Sequence, residues 1–201
     1  MNLDGDGRRI IEISKLSQMY LALVYYPRIE NQGFQAFRDK YEPYSQLLPE
    51  HVPLVHPVPE DIGRDNVERH IKQVLSRWKP FRIHFCKLDK TWDHWLYLGA
   101  EEGHGEVMEL HDHLYTGILS PYLREDLPFY PHIGVGLFSK ETYDFDDPTA
   151  ELTLDEEKYN KARKEFEKLG MDFWRTIDRL TLLKINDDYT ECIDLMEYPF
   201  H

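Results

Sequence analysis

The stretch Leu47-Leu-Pro-Glu-His-Val-Pro-Leu-Val-His-Pro57 reads as an extended strand whose prolines suit an edge or a strand end rather than a central ladder position. Side chains alternate along a strand, so His51, Pro53 and Val55 point one way while Val52, Leu54 and His56 point the other. Further along, Tyr130-Pro-His-Ile-Gly-Val-Gly-Leu-Phe138 repeats the device. There His132, Gly134 and Gly136 share a face opposite Ile133, Val135 and Leu137. Each strand buries an aliphatic row and turns a histidine with small neighbours to the opposite face. If the segments carrying them are related by approximate twofold symmetry, the two histidine faces line one cleft.

Working outward, Tyr20-Leu-Ala-Leu-Val-Tyr-Tyr26 is a dense apolar strand ended by Pro27. Helical spacing of Phe34, Phe37 and Tyr41 predicts a helix from about Gln32 to Tyr41, and Val67, Ile71, Val74, Leu75 and Trp78 predict another from about Arg64 to Trp78. Phe81-Arg-Ile-His-Phe-Cys86 alternates strictly, with Trp95-Leu-Tyr-Leu98 as its hairpin partner. A helix over about Gly105–Leu119 precedes the second histidine strand. Another begins near Thr153, where Thr153-Leu-Asp-Glu156 fits a capping box, and stops at Gly170. Two closing strands, about Arg179–Ile185 and Thr190–Glu197, flank the turn Asn186-Asp-Asp, and Asp144–Ala150 is the most loop-like interruption. The order implies an α+β fold of two related lobes, each a mainly antiparallel sheet with helices on its outer face, around a central cleft. We expect one bilobal domain over residues 1–201 with a short N-terminal extension of about 1–18.

With 41% hydrophobic and 13% aromatic residues, the chain of 201 can bury a substantial core. No stretch has the roughly 18–20 apolar residues of a membrane-spanning helix, so no membrane partner is expected. The start lacks the basic-then-apolar order of a secretory signal, and the two cysteines, Cys86 and Cys192, lack metal-type spacing; both point to a reduced, cytoplasmic setting. A formal net charge of −13 opposes extended DNA or RNA binding, which relies on many contacts to phosphate, but leaves room for a small phosphate-bearing ligand in a local pocket.

Pro49-Glu-His51-Val-Pro-Leu and Phe129-Tyr-Pro131-His132-Ile-Gly-Val-Gly lie with their histidines 81 residues apart, and Asp126-Leu-Pro-Phe-Tyr-Pro leads into the second. They resemble the paired His-x-Thr/Ser-x motifs of the two-histidine (2H) phosphoesterase superfamily, which includes RNA 2′-5′ ligase-like proteins and cyclic phosphodiesterases. The order of helices and strands supports the likeness from about Tyr20 to Tyr198. The resemblance implies no cofactor and no metal. It makes His51 and His132 an acid/base pair acting on a cyclic phosphate or 2′-5′ phosphodiester of a nucleotide or small RNA, since an imidazole titrates near neutral pH. Pro53 and Gly134 stand where the family places phosphate-binding hydroxyls: proline offers neither a side-chain donor nor an N–H, and glycine only its backbone N–H. The departure opens a second reading, a noncatalytic module that binds a nucleotide or RNA end in a degenerate cleft.

Other residues are weighed beside the pair. Arg82, His84 and Cys86 share one strand face, where Arg82 or His84 can hold a phosphate in place of the lost hydroxyls, or simply line a solvated sheet. Tyr130 is either a donor on the His132 side or a core aromatic, and Tyr26 and Arg28 are lesser candidates. His104, His111 and His113 invite a metal reading with Glu109 and Asp112, but residues 111 and 113 lie about 200° apart on a helix, so His111 is expected to be a hydrogen-bonded histidine at the core edge. His56 is expected to be buried and structural.

Overall fold

The computed structural model describes residues 18–125, 127–141 and 152–201. The apolar run becomes β1 (Met19–Tyr25), and α1 (Gln32–Tyr41) follows, started by Asn31, whose side chain accepts the Phe34 N–H at 3.0 Å. Next come β2 (Val52–Pro59), α2 (Arg64–Leu75), β3 (Phe81–Lys90) and β4 (Trp95–Ala100). The expected helix over 105–119 divides into α3 (His104–Leu114) and a 3₁₀ segment at Gly117–Tyr122. The remainder is β5 (His132–Leu137), α4 (Glu156–Glu167), β6 (Phe173–Ile177), β7 (Arg179–Asn186) and β8 (Cys192–Pro199). Asp155 caps α4, accepting the Lys158 N–H at 3.1 Å, in place of the expected Thr153. Gly170 ends the following turn with φ +58°. The expected N-terminal extension, the loop at 144–150 and Asp126 lie outside the described residues, apart from Gln18.

The strands form two four-stranded sheets, ordered β2-β1-β7-β8 and β5-β4-β3-β6, and every pairing is antiparallel. The fold is α+β and two-lobed, as expected, but the lobes are not the two halves of the chain. The first sheet takes β7 and β8 from the C-terminal end, and the second takes β6, a short strand that the periodicity does not announce. The helices pack across this division: α1 on β5 and α4, α2 on β8, and α3 on both β2 and β3. One hydrophobic cluster consequently runs through both sheets, joining Leu21, Leu23 and Val52 to Ile83, Leu98 and Ile133 and to helical Phe34, Ile71, Leu110 and Phe166. Among the described residues no helix is long and apolar enough to cross a membrane.

Candidate active site

Both histidine strands are sheet edges. β2 borders the first sheet, β5 borders the second, and the two strands pack against each other. Val52 and Leu54 of β2 and Ile133 and Val135 of β5 are fully buried, so His51 and His132 turn to the opposite faces of these two packed edge strands. Their rings are close enough for the charge of one to act on the other.

The two imidazoles are held alike. His51 Nδ1 lies 2.9 Å from the carbonyl of Pro49, and His132 Nδ1 lies 2.6 Å from the carbonyl of Tyr130, in each case two residues upstream. A carbonyl only accepts, so Nδ1 carries the proton and each neutral ring keeps its lone pair on Nε2. Burial pushes the His51 imidazole down to about 4, with the charges of Arg38 and His132 adding to the effect against the Pro49 hydrogen bond. Burial also lowers His132, opposed by its Tyr130 bond and by the Asp93 carboxylate. At neutral pH both rings are therefore neutral, each with an unprotonated Nε2.

Behind His51 stands a buried ionic cluster. Arg38 pairs with Glu42, donates to the Leu48 carbonyl at 2.9 Å and lies 3.6 Å from Glu50, whose carboxylate accepts the Ile29 N–H. These contacts bind the segment entering β2 to α1. Burial raises Glu42 to about 7 in spite of Arg38. A second brace joins the two motif strands: His111, 4% exposed, donates from Nδ1 to the Leu54 carbonyl at 2.9 Å and stacks on Phe129 with centroids 3.8 Å apart. Tyr115 beside it accepts the His56 N–H at 3.0 Å, so α3 satisfies the open edge of β2. His111 is thus the hydrogen-bonded core-edge histidine expected.

Two bulges change which side chains face the cleft. Between Pro53 and Val55 the β1–β2 register slips, and Val55, expected beside His51, packs in the core with Leu54. The slip also turns out His56, expected to be buried. It is exposed and lies within electrostatic range of His51, His132, His111 and Arg124. On β5 a slip between Gly134 and Gly136 puts Gly136 on the core side, where a Cβ would lie 2.9 Å from Tyr41 and Phe138. Pro53 keeps its expected face, paired with Val24 next to the bulge. Gly134 keeps its face too, opposite Tyr97, with the Trp95 ring 3.3 Å from where its Cβ would be.

The remaining candidates are spread over the same surfaces. Tyr130 is not a core aromatic; it is 57% exposed, and its carbonyl orients His132. Arg82 and His84 lie opposite the buried Ile83 and Phe85, on the sheet face that carries His132 but two strands away, roughly 10 Å at the usual spacing. Arg82 covers the Trp174 ring at 4.2 Å, and His84 stacks on that ring while bonding Asp172 at 2.7 Å. Tyr26 and Arg28 bond Asp194 and Glu197 of β8. His104 turns to the Glu101 carbonyl and His113 to Trp78, so the helix histidines make separate contacts. Tyr97, whose ring lies 4.9 Å from that of His132, escaped the sequence reading although Trp95 and Tyr97 alternate with buried Leu96 and Leu98.

Comparison with known proteins agrees with this fold. The family model of the 2′-5′ RNA ligase superfamily matches residues 25–188. A candidate phosphoesterase of Halalkalibacterium halodurans is 26% identical over 152 residues, covering 74% of this chain and 78% of that protein. A similarly named protein of Geobacillus kaustophilus is 24% identical over 170 residues, 82% of this chain and 87% of its own. Escherichia coli LigT complexed with NADP+ shares the fold at a TM-score of 0.54 and 14% identity, covering 92% of this chain and 97% of that one. With its two facing histidine edges and a match over most of its length, the chain belongs to the 2′-5′ RNA ligase superfamily of two-histidine phosphoesterases.

Proposed function

We propose that the protein is a metal-independent phosphoesterase that opens a cyclic phosphate or cleaves a 2′-5′ phosphodiester of a nucleotide or small RNA, with His51 and His132 as its acid/base pair. The observation that carries this reading is the matched pair of Nδ1-to-carbonyl bonds, which leaves an unprotonated Nε2 on each of two packed edge strands. In support, the related LigT fold has been solved with 3′-AMP and with phosphate.

The difference between the rings suggests their roles in hydrolysis. The charge of Arg38 opposes protonation of His51, which serves as base, and the Asp93 carboxylate favours protonation of His132, which serves as acid. His51 Nε2 takes a proton from water, the water oxygen bonds to phosphorus, and the ester P–O bond breaks. His132 gives its proton to the departing ribose oxygen, leaving His51 charged and His132 neutral. The negative charge of the bound phosphate group favours the charged ring, so His132 takes up a proton from solvent beforehand. Lacking the motif hydroxyls, the site has the Gly134 N–H and the Tyr97 phenol as neighbouring donors for the phosphoryl oxygens. The two thiols, Cys86 and Cys192, are unpaired, in keeping with a reducing, cytoplasmic setting.

Hydrolysis of a panel of 2′,3′-cyclic nucleotides and 2′-5′ oligonucleotides tests the proposal. Turnover that His51→Ala or His132→Ala lowers by about 10²–10⁴ supports it. The Pro53 and Gly134 replacements favour a second reading, nucleotide binding without turnover; calorimetric binding by a protein inert on the whole panel selects that reading.

A further inference from the structure

On the sheet face that carries His132, two strands away on β3 and at the end of β4, three side chains of different chemistry converge. Ligand-type atoms of His84, Cys86 and Glu101 all lie within 4.8 Å of one another. The backbone sets them there: the His84 N–H donates to the Glu102 carbonyl and the Glu101 N–H to the His84 carbonyl, each at 2.9 Å, where β3 leaves β4. A slip in the β3–β4 register between Phe85 and Lys87 re-aims Cys86 beside them, and its thiol lies 3.4 Å from the Glu101 carboxylate.

The histidine already has one nitrogen held by a carboxylate. Its Nε2 bonds the Asp172 carboxylate at 2.7 Å, which places a proton on Nε2 and leaves the lone pair on Nδ1. That Nδ1 is buried and has no hydrogen-bond partner among the described residues. A histidine donating one nitrogen to a carboxylate and presenting the other is the arrangement that supports zinc ligation elsewhere. The ring is also fixed by its parallel stack on Trp174, 4.7 Å between centroids.

We infer that His84, Cys86 and Glu101 form a binding site for a divalent cation of the zinc class, with Asp172 orienting His84. Nitrogen, thiolate and carboxylate suit zinc, whose bonds of about 2.0–2.3 Å put tetrahedral ligands about 3.3–3.6 Å apart. Closing the observed spacing to that value takes shifts of about 1 Å. Lys87 must release Glu101, from which it lies 3.2 Å, but that pair is 60% and 53% exposed and cheap to break. Three protein ligands leave a fourth position for water or an anion, on the sheet face that also carries His132. The cation takes no part in the reaction proposed above, and the site stands or falls independently of it.

Titration of the chelator-stripped, full-length protein with Co2+, then competition with Zn2+, tests the site. One equivalent of Co2+ is expected to give a thiolate-to-cobalt charge-transfer band that Cys86→Ser abolishes. His84→Ala and Glu101→Gln should each weaken Zn2+ at least tenfold, and Asp172→Asn by about 10–100-fold. His51→Ala and His132→Ala should leave the titration unchanged. Circular dichroism and the thermal midpoint establish that each variant is folded. Absence of the thiolate band at one equivalent, its survival in Cys86→Ser, unchanged affinity in both His84→Ala and Glu101→Gln, or loss of binding in His51→Ala would each overturn the inference.

Discussion

The walls that hold His51 and His132 make the same backbone gesture with different supports. Each ring gives its Nδ1 proton to the carbonyl two residues upstream. Behind His51 lies a buried guanidinium with two carboxylates; beside His132 lie the Tyr97 ring and, within electrostatic range, Asp93. Two similarly held histidines can thus sit in unlike electrostatic surroundings, because the strands set geometry while the neighbours set charge.

The largest effect should come from the imidazoles themselves. His51→Ala and His132→Ala are each expected to lower kcat/KM by about 10²–10⁴, and the double variant by little more, because the two act as a unit. Additive losses would break the comparison by giving each ring a separate task.

Next comes the ionic support peculiar to His51. Arg38→Met strands Glu42 and Glu50 as buried carboxylates and should cost about 3–5 kcal/mol in denaturant unfolding. Breaking the brace common to both strands, by His111→Leu, leaves the Leu54 carbonyl without that donor and should cost about 1–3 kcal/mol.

Restoring the missing hydroxyls should change rate rather than stability. If the phosphate lies between the rings, Pro53→Thr and Gly134→Ser should raise turnover, by no more than the roughly 10²–10³ that one oxyanion donor contributes. The second gain should be the smaller, since a side chain at 134 must displace the Trp95 ring by a few tenths of an ångström.

The pH dependence sharpens the comparison least but has a definite sign. The unfolded His51 ring titrates near 6.5 and the folded ring near 4, so below about 6.5 the unfolded chain takes up more protons. Stability should fall as pH drops from 6.5 toward 4, and His132 should add to the loss in the same direction. Added phosphate should reduce that loss. The kcat/KM profile should be bell-shaped, with its optimum on the acid side of neutral.

Much of this was legible in the residues. The histidines, their prolines and the alternating aliphatic rows identify both strands, and Gln32 to Tyr41 reads directly as a helix. Pairing between distant segments was not legible: nothing local in Arg179–Asn186 says that it joins β1 and so completes the sheet of His51. Nor does period-2 alternation reveal a bulge, because one extra residue inverts every later side chain. Alternation alone therefore puts His56 and Gly136 on the wrong faces. Tyr97 was visible in principle, as one of two aromatics alternating with buried leucines, but only the β4–β5 register sets it opposite Gly134. The support by Arg38 depends on a helix folding back on the segment ahead of His51, a contact with no signature in the chain.

The most direct test of the central claim is long-range ¹H–¹⁵N NMR of the imidazoles at neutral pH, recorded while inorganic phosphate is added. The account predicts that His51 and His132 both begin as neutral rings protonated on Nδ1, that both Nε2 signals move together along one binding curve, and that His132 gains a proton. Rings protonated on Nε2 at the outset, or phosphate that moves one signal and leaves the other in place, would contradict it.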